Sequence, residues 1–370
     1  MSHKTAIIHY LPLEFYPPVT NFINCISKDK KSKVYVYSSV NNNGREVYEN
    51  SEINYIYRSP SPKATEHAIL RLFKYFVFNF VVFFKLYSTR PDTILYYETY
   101  SVLPVYWYLK FVNKKTKLFI HYHEYFSKEW YTKGMKTLKY YHKLEQAFMY
   151  KRSTYITQTN QDRVELFLKD NPKVEKTKMR ILPNYPPKRW CQYLKQQHNL
   201  NPIKSVYVGS LSLETMYVKE YCTWVQSQEG KVIFSIYGYN VEKKTHTYLS
   251  SLNSDFIQYH PGGIEYSQIP NLLSKYNVGV ILYKALIDNF KYNAPNKLFE
   301  YISGDLEIWY SNKILGIKPY EKHTFPRILS VDFECIVDKE LLGREGLKEI
   351  EHAVFIAEDV YMPYIKKLIL

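Results

Sequence analysis

The sequence predicts an α/β protein of two doubly wound domains, and three observations carry that reading. The chain is 370 residues long, about twice the usual domain. Short β-rich runs alternate with helical runs along most of it, the pattern of parallel sheets covered on both faces. A proline cluster, Pro183, Pro186 and Pro187, interrupts that alternation midway. Proline lacks the N–H that a central strand or a helix interior needs, so this cluster reads as a junction.

In the first half, strands are expected at residues 5–9, 33–38, 53–57, 93–97, 118–122, 154–159 and 179–182. Helices are expected over 66–87, 102–112 and 136–151. After a polar stretch to Pro202 the alternation resumes. Strands follow at 205–208, 232–237, 256–259 and 278–283, with helices at 215–228 and 242–252 and a further segment at 267–275. The expected domains are residues 1–187 and 188–350, with a C-terminal helix in 351–370 returning towards the first domain. Ligands of doubly wound sheets bind beyond the carboxyl ends of the strands, so functional residues are sought there.

Charge divides along the same line. The whole chain carries +15, from 50 Lys and Arg against 35 Asp and Glu. Residues 1–190 hold 31 and 15 of these, or +16; the remainder hold 19 and 20, or −1. A basic first domain suits an anionic membrane or an anionic acceptor. Nucleic acid is not expected as a partner, because no recognition motif accompanies the charge. The four cysteines, Cys25, Cys191, Cys222 and Cys335, lie far apart with no metal-ligand spacing, so neither disulfides nor a metal are expected. With no secretory pattern at the start, the expected location is cytoplasmic, peripheral on the inner face of the cytoplasmic membrane. Residues 69–87 are rich in Phe but interrupted by Arg71, Lys74, Asn79 and Lys85. They read either as a buried core helix or as an interfacial helix, and not as a span.

The chemistry-bearing features follow strands. Asn293-Ala-Pro-Asn-Lys-Leu-Phe-Glu300 reads as a helix start, with Asn293 as N-cap and Pro295 in the first turn. Free N–H groups at that end, together with the Lys297 ammonium, suit a diphosphate. Glu300 lies one turn on and on the same face, where its carboxylate could accept from a ribose diol. Asn296 and Leu298 belong to the same run. Gly209-Ser210-Leu211 and Gly238-Tyr239 end two strands, and glycine there lets backbone approach a phosphate. In the first half, His121, His123 and Glu124 end a strand, a place for acid–base or hydroxyl-positioning work. There is no GxGxxG and no GxxxxGK[ST], which argues against a dinucleotide oxidoreductase and a P-loop nucleotidase.

Taken in order and spacing, the Gly209 turn, the Gly238 turn, residues 260–284 ending beyond Tyr283, and PNKLFEY (295–301) resemble the donor-binding half of glycosyltransferase family 4, of the GT-B fold. The resemblance implies two Rossmann-like domains facing a central cleft. It implies transfer of a sugar, with retention and without metal or other cofactor, from a nucleotide-sugar to a hydroxyl of a glycan or lipid-linked acceptor in bacterial surface polysaccharide synthesis. The catalytic set becomes His123, Glu124 and Lys297. Donor-binding residues are Gly209, Ser210, Leu211, Gly238, Tyr239, Tyr283, Asn296, Lys297, Leu298 and Glu300, with Glu14, Tyr16 and Pro17 on the acceptor side. The sequence departs from the family where a first glutamate is usual, since Tyr292 stands eight before Glu300; Ser210 stands where arginine is frequent. These departures leave a catalytically silent binding domain, or a sugar-nucleotide epimerase, as alternatives.

Overall fold

A computed structural model of the chain describes residues 2–40, 45–63, 65–192, 201–252, 254–343 and 346–369. It divides into two compact units: Met1–Asn184 with Ala357–Leu370, and Tyr185–Ile356.

The first unit holds a parallel seven-stranded sheet. Its strands are β1 (His3–His9), β2 (Ser32–Val40), β3 (Tyr55–Pro60), β4 (Thr93–Tyr97), β5 (Lys117–His121), β6 (Tyr155–Gln158) and β7 (Met179–Ile181), in the order β3-β2-β1-β4-β5-β6-β7. The central strands carry apolar runs because helices cover both faces: Ala6, Ile7 and Ile8 of β1 and Ile94 to Tyr97 of β4 are buried. Strand order reverses between β1 and β4, the switch point at which such sheets open a crevice. The register places Ser38, His9, Tyr97, His121 and Thr157 side by side across five strands at their carboxyl ends. The helix Ala357–Ile369 belongs to this unit. Its Tyr361 ring lies 5.3 Å from Phe22 of the helix Pro17–Ser27, and the Thr93 hydroxyl donates to the Leu368 carbonyl (2.8 Å).

The second unit repeats the scheme with β8 (Ile203–Gly209), β9 (Val232–Gly238), β10 (Ile257–Pro261), β11 (Val278–Ile281), β12 (Glu307–Ser311) and β13 (Ile328–Val331), in the order β10-β9-β8-β11-β12-β13. The switch point falls between β8 and β11. Gly209 and Gly238 are register partners at the carboxyl ends of β8 and β9. Strands β12 and β13 were not expected from sequence. The first opens on the charged Glu307, and both are only four or five residues long, too short for a periodic signal.

The helix Ala68–Thr89 corrects the core-helix reading of residues 69–87. It buries only Tyr75, Phe78, Asn79, Val82 and Leu86, a stripe at helical spacing. Ile69, Phe73, Phe76, Phe80, Phe84 and Tyr87 are 47–71% exposed along its other side. Among the described residues no helix is long and apolar enough to cross a membrane.

Candidate active site

In the second unit the helix Asn296–Ser303 begins beside the end of β8. Asn293 is not its cap. The N-cap position falls to Pro295, extended at φ −71° and ψ 156°, with no side-chain cap bond. Proline's fixed φ, with no N–H to lose, sets the start of the helix there. Lys297 follows in the first turn, and its ammonium lies against Gly209. A β-carbon on Gly209 would come within 2.7 Å of Nζ, and the residue's φ of +141° disfavours any side chain. This is a close approach that only glycine permits.

The Lys297 ammonium donates to the Tyr283 hydroxyl (3.3 Å) and sits 5.2 Å from the centre of the Tyr207 ring. Burial works against that charge, but the surrounding Tyr207, Tyr283, Tyr239 and Tyr301 oxygens raise its pKa well above the ordinary value. Lys297 is therefore a cation at neutral pH. Glu300, one turn further, is buried, and its carboxylate makes no hydrogen bond among the described residues. Burial pushes its pKa to about 7, with Lys297 opposing. A buried carboxylate without donors costs stability unless a ligand supplies them.

The two glycine turns are tied together, since Tyr239 N–H donates to the Gly209 carbonyl (3.2 Å). A β-carbon at Gly238 would meet Val241 at 2.7 Å. Ser210 is exposed, and its carbonyl accepts from the Tyr207 hydroxyl (2.8 Å). Asn296 is half-buried at the head of the helix. Two expected donor contacts are core residues instead. Leu298 is fully buried and its N–H donates to the Pro295 carbonyl (3.0 Å); Leu211 packs under Gly238. Both are apolar side chains that the sheet's covering layer needs.

In the first unit the His123 ring stacks on Tyr97 (5.1 Å between centroids, 16° between planes) and bonds to His121. Its backbone is clamped from both sides. Its N–H donates to Glu98 Oε1 (2.6 Å), and its carbonyl accepts from the Arg163 guanidinium. Burial, then His121 and His9, hold its pKa well below the ordinary value; Asn184 opposes this without reaching hydrogen-bonding geometry. His123 is therefore neutral at pH 7. Glu124 points elsewhere: its side chain is 43% exposed and pairs with Arg163 (3.3 Å).

The carboxyl group that approaches His123 is Glu98, which the sequence reading missed. It follows β4 with φ +59°, a conformation that costs a non-glycine residue about 1–3 kcal/mol and that gathers at functional sites. Oε1 accepts the N–H groups of His123 and Glu124, while Oε2 is buried and unpartnered. Burial and the Glu124 charge raise its pKa to about 8. A lone charged residue straight after an apolar strand was the signal available.

On the acceptor side, Glu14 is buried, ion-paired to Arg58, and accepts the Tyr48 N–H (3.2 Å), leaving Oε2 unpartnered. The Tyr16 ring lies 4.6 Å from His9 and 6.1 Å from His123. Pro17 opens the following helix. Among the described residues no group of three or more His, Cys, Asp or Glu could hold a metal ion.

No protein-family model matches the chain, and no curated protein matches its sequence. Solved structures do match. The lipopolysaccharide outer core galactosyltransferase WaaB, in its apo form, is 14% identical with a TM-score of 0.61, over 99% of this chain and 95% of its own. Anabaena Alr3699/HepE in complex with UDP and glucose is 9% identical with a TM-score of 0.64, over 99% and 95%. The E. coli trehalose-6-phosphate protein bound with UDP-2-fluoro glucose is 10% identical with a TM-score of 0.65, over 98% and 95%. A UDP-GlcNAc 2-epimerase from Neisseria meningitidis matches less well, at 0.50 over 84% of this chain. The chain thus has the GT-B fold, two Rossmann-like α/β domains.

Proposed function

We propose that the chain is a nucleotide-sugar-dependent glycosyltransferase of the family 4 type, acting with retention and without a metal. The observation that carries this reading is the trio of Gly209, Lys297 and Glu300 at the switch point of the second unit. A side-chain-free turn lets a diphosphate reach the backbone. The Lys297 ammonium and the helix N-terminus meet its charge, and the unpaired Glu300 carboxylate accepts from a ribose diol. Charge grows on the leaving diphosphate while the sugar becomes oxocarbenium-like. Fixed positive groups at that point are preorganised for the transition state. The solved neighbours that carry UDP or a UDP-sugar in their complexes support a nucleotide-sugar donor. In a thermal-shift titration UDP should raise the melting temperature of the wild type. Glu300→Ala retaining full UDP affinity would overturn the assignment.

The acceptor belongs, in this reading, to a glycan or lipid-linked substrate at an anionic membrane. The exposed aromatic side of the helix Ala68–Thr89, on the unit that carries the positive excess, supports it. The protein should float with anionic lipid vesicles at low salt, and Phe76→Glu with Phe80→Glu should abolish flotation. A second reading, a catalytically silent binding domain, is favoured by one observation: the position of the usual first glutamate is occupied by Tyr292. Turnover of any nucleotide-sugar by the purified protein excludes it.

A further inference from the structure

Beside the amino ends of β6 and β7, the edge of the first sheet away from Glu98 and His123, two helix ends and a loop enclose a groove of about 650 Å³. That size lies within the roughly 300–1,000 Å³ of small-ligand sites. One wall is the helical run that ends at Arg152 and leads into β6. The other is the end of the helix Gln161–Asp170 with residues 171–178, which lead into β7. Glu145–Met149 form a π-turn in the first wall, a distortion that recurs at functional sites. Glu145 and Met149 stay buried, while Gln146 and Ala147 are exposed on the groove.

The groove is cationic. Lys143, Lys151, Lys173 and Lys178 line it, against Asp170 and Glu175. Asp170 Oδ2 already accepts from the Tyr125 hydroxyl (2.6 Å) and the Lys128 N–H (2.9 Å). Among the described residues Lys143, Lys151 and Lys173 pair with no carboxylate, and all three are exposed. Two helix C-termini meet here, and free carbonyls at such ends repel an anion. These are engaged instead. The Lys178 ammonium donates to the Lys151 carbonyl (2.6 Å), and Asn171 donates to the Phe167 carbonyl from its N–H (2.9 Å) and its side-chain amide (3.0 Å). The unpaired lysines therefore set the sign of the groove.

The same bonds settle an acceptor. Because the Asn171 amide nitrogen is turned to Phe167, its Oδ1 accepts from Gln146 Nε2 (3.0 Å). Gln146 is thus left with Oε1 as an acceptor on the groove wall. Ala147, Pro172 and Val174 add an apolar face. We propose that this groove binds an anionic sugar, a pyranose that carries a carboxylate or a phosphate. The C–H face of the ring rests on the apolar residues, a ring hydroxyl donates to Gln146 Oε1, and the anionic group meets the unpaired lysines. An inorganic anion lacks the apolar face and the hydroxyl donor, and a neutral sugar lacks the charge. The groove lies away from the carboxyl ends of the strands, so it docks its ligand without taking part in chemistry there. It goes beyond the proposed function, since binding in it needs no nucleotide.

Saturation-transfer NMR on the full chain, at neutral pH and low salt, tests this with glucuronate and glucose 6-phosphate as probes. The ring protons of at least one probe should receive saturation. Which one responds tells carboxylate from phosphate, and silence from both overturns the proposal. Glucose should bind more weakly than the responding probe, and inorganic phosphate at equal concentration should displace little of it. Equal binding of glucose, or full displacement by phosphate, also overturns it. Lys143→Glu with Lys173→Glu, both exposed positions, should weaken the probe by about tenfold at an unchanged melting temperature. Ala147→Trp fills the groove without altering charge and should weaken it as much. Binding that survives either change overturns the proposal; survival in Ala147→Trp alone would reduce the effect to diffuse attraction. Glu300→Ala should bind the probe as the wild type does, and a loss there would place the probe in the second unit instead. If the probe binds in the groove while UDP leaves the melting temperature unchanged, the groove stands and the proposed transferase function falls.

Discussion

Each unit contains a pair of buried glutamates of opposite character, with Glu14 of the first unit, ion-paired to Arg58, a further buried one. Glu145 of the first unit is saturated: Oε1 accepts from the Tyr96 and Tyr122 hydroxyls (3.0 and 2.7 Å), and Oε2 from Thr99, His142 Nδ1 and Tyr150 (2.8, 3.3 and 3.5 Å). Glu307 of the second unit accepts from Arg327 (2.8 Å) and the Trp309 indole (2.6 Å). Glu98 and Glu300 are under-supplied: Oε2 of Glu98 is buried without a donor, and the carboxylate of the buried Glu300 makes no hydrogen bond among the described residues. The saturated pair holds elements together. The under-supplied pair sits at the carboxyl ends of the sheets, where folding leaves valences that a ligand can fill.

That contrast is broken most easily at Glu145. Glu145→Ala would strand four hydroxyls and an imidazole in the interior. By the usual cost of opening a buried polar network it should destabilise the first unit by about 3–5 kcal/mol. Denaturant melts followed by tyrosine fluorescence would measure it, and a loss below about 1 kcal/mol would show that the hub is not structural.

Glu98→Gln should act in the other direction. Its folded pKa, about 8, lies above the ordinary 4.5. The unfolded chain therefore releases a proton from pH 4.5 upward that the folded chain keeps, and stability falls as pH rises to 8. Glu300, at about 7, adds a slope of the same sign up to pH 7. His9 and His121, at about 4 and 3, act oppositely: folded they refuse a proton that the unfolded chain takes below pH 6.5, so stability falls as pH drops. Between pH 7 and 8 the slope among these four is left to Glu98. Glutamine keeps the acceptor for the two N–H groups and cannot ionise. The variant should gain about 2–4 kcal/mol at pH 8 and flatten that interval. A slope unchanged from wild type in denaturant melts at pH 7 and 8 would refute this.

Glu300→Ala should leave stability equal or higher, because it removes a buried carboxylate with no donors. It should weaken UDP binding by about 10–100-fold, the loss of one or two charge-assisted bonds, as read by calorimetric titration. Unchanged stability with weakened binding would mark Glu300 as a ligand group. The reverse pattern would move it into the structural class with Glu307.

Most strands of both sheets were legible because they carry short apolar runs, β12 and β13 excepted, and the glycine turns because Gly209 and Gly238 end such runs. Lys297 and Glu300 were legible from helical spacing alone. Glu98 offered one cue, a charged residue straight after an apolar strand, which does not say what it meets, and a threonine within a strand, such as Thr157, offers none. Their meaning comes from register, which sets Thr157 beside His121 and His121 beside Tyr97. Register joins residues that are 36 apart in the chain in the case of the His121–Thr157 bond. Part of the tyrosine richness is explained in the same way. Tyr96, Tyr122 and Tyr150 come from separate elements and converge on Glu145, where the Tyr122 and Tyr150 hydroxyls also meet each other (3.2 Å).

The smallest effect belongs to Glu124, the carboxylate that sequence placed beside His123. Its side chain is 43% exposed and faces Arg163 across 3.3 Å. Water screens such a pair, so Glu124→Gln should change stability by less than about 1 kcal/mol. Arg163 keeps its bonds to the His123 carbonyl and the Thr159 hydroxyl, so the clamp on the His123 backbone survives the substitution. Turnover should therefore fall by no more than about threefold, the span of a weak exposed ion pair. A loss of a hundredfold or more, with the His123 tautomer unchanged by NMR, would make Glu124 the reacting carboxylate and reduce Glu98 to a clamp. The comparison between supplied and under-supplied glutamates would then have identified the wrong member of the first unit.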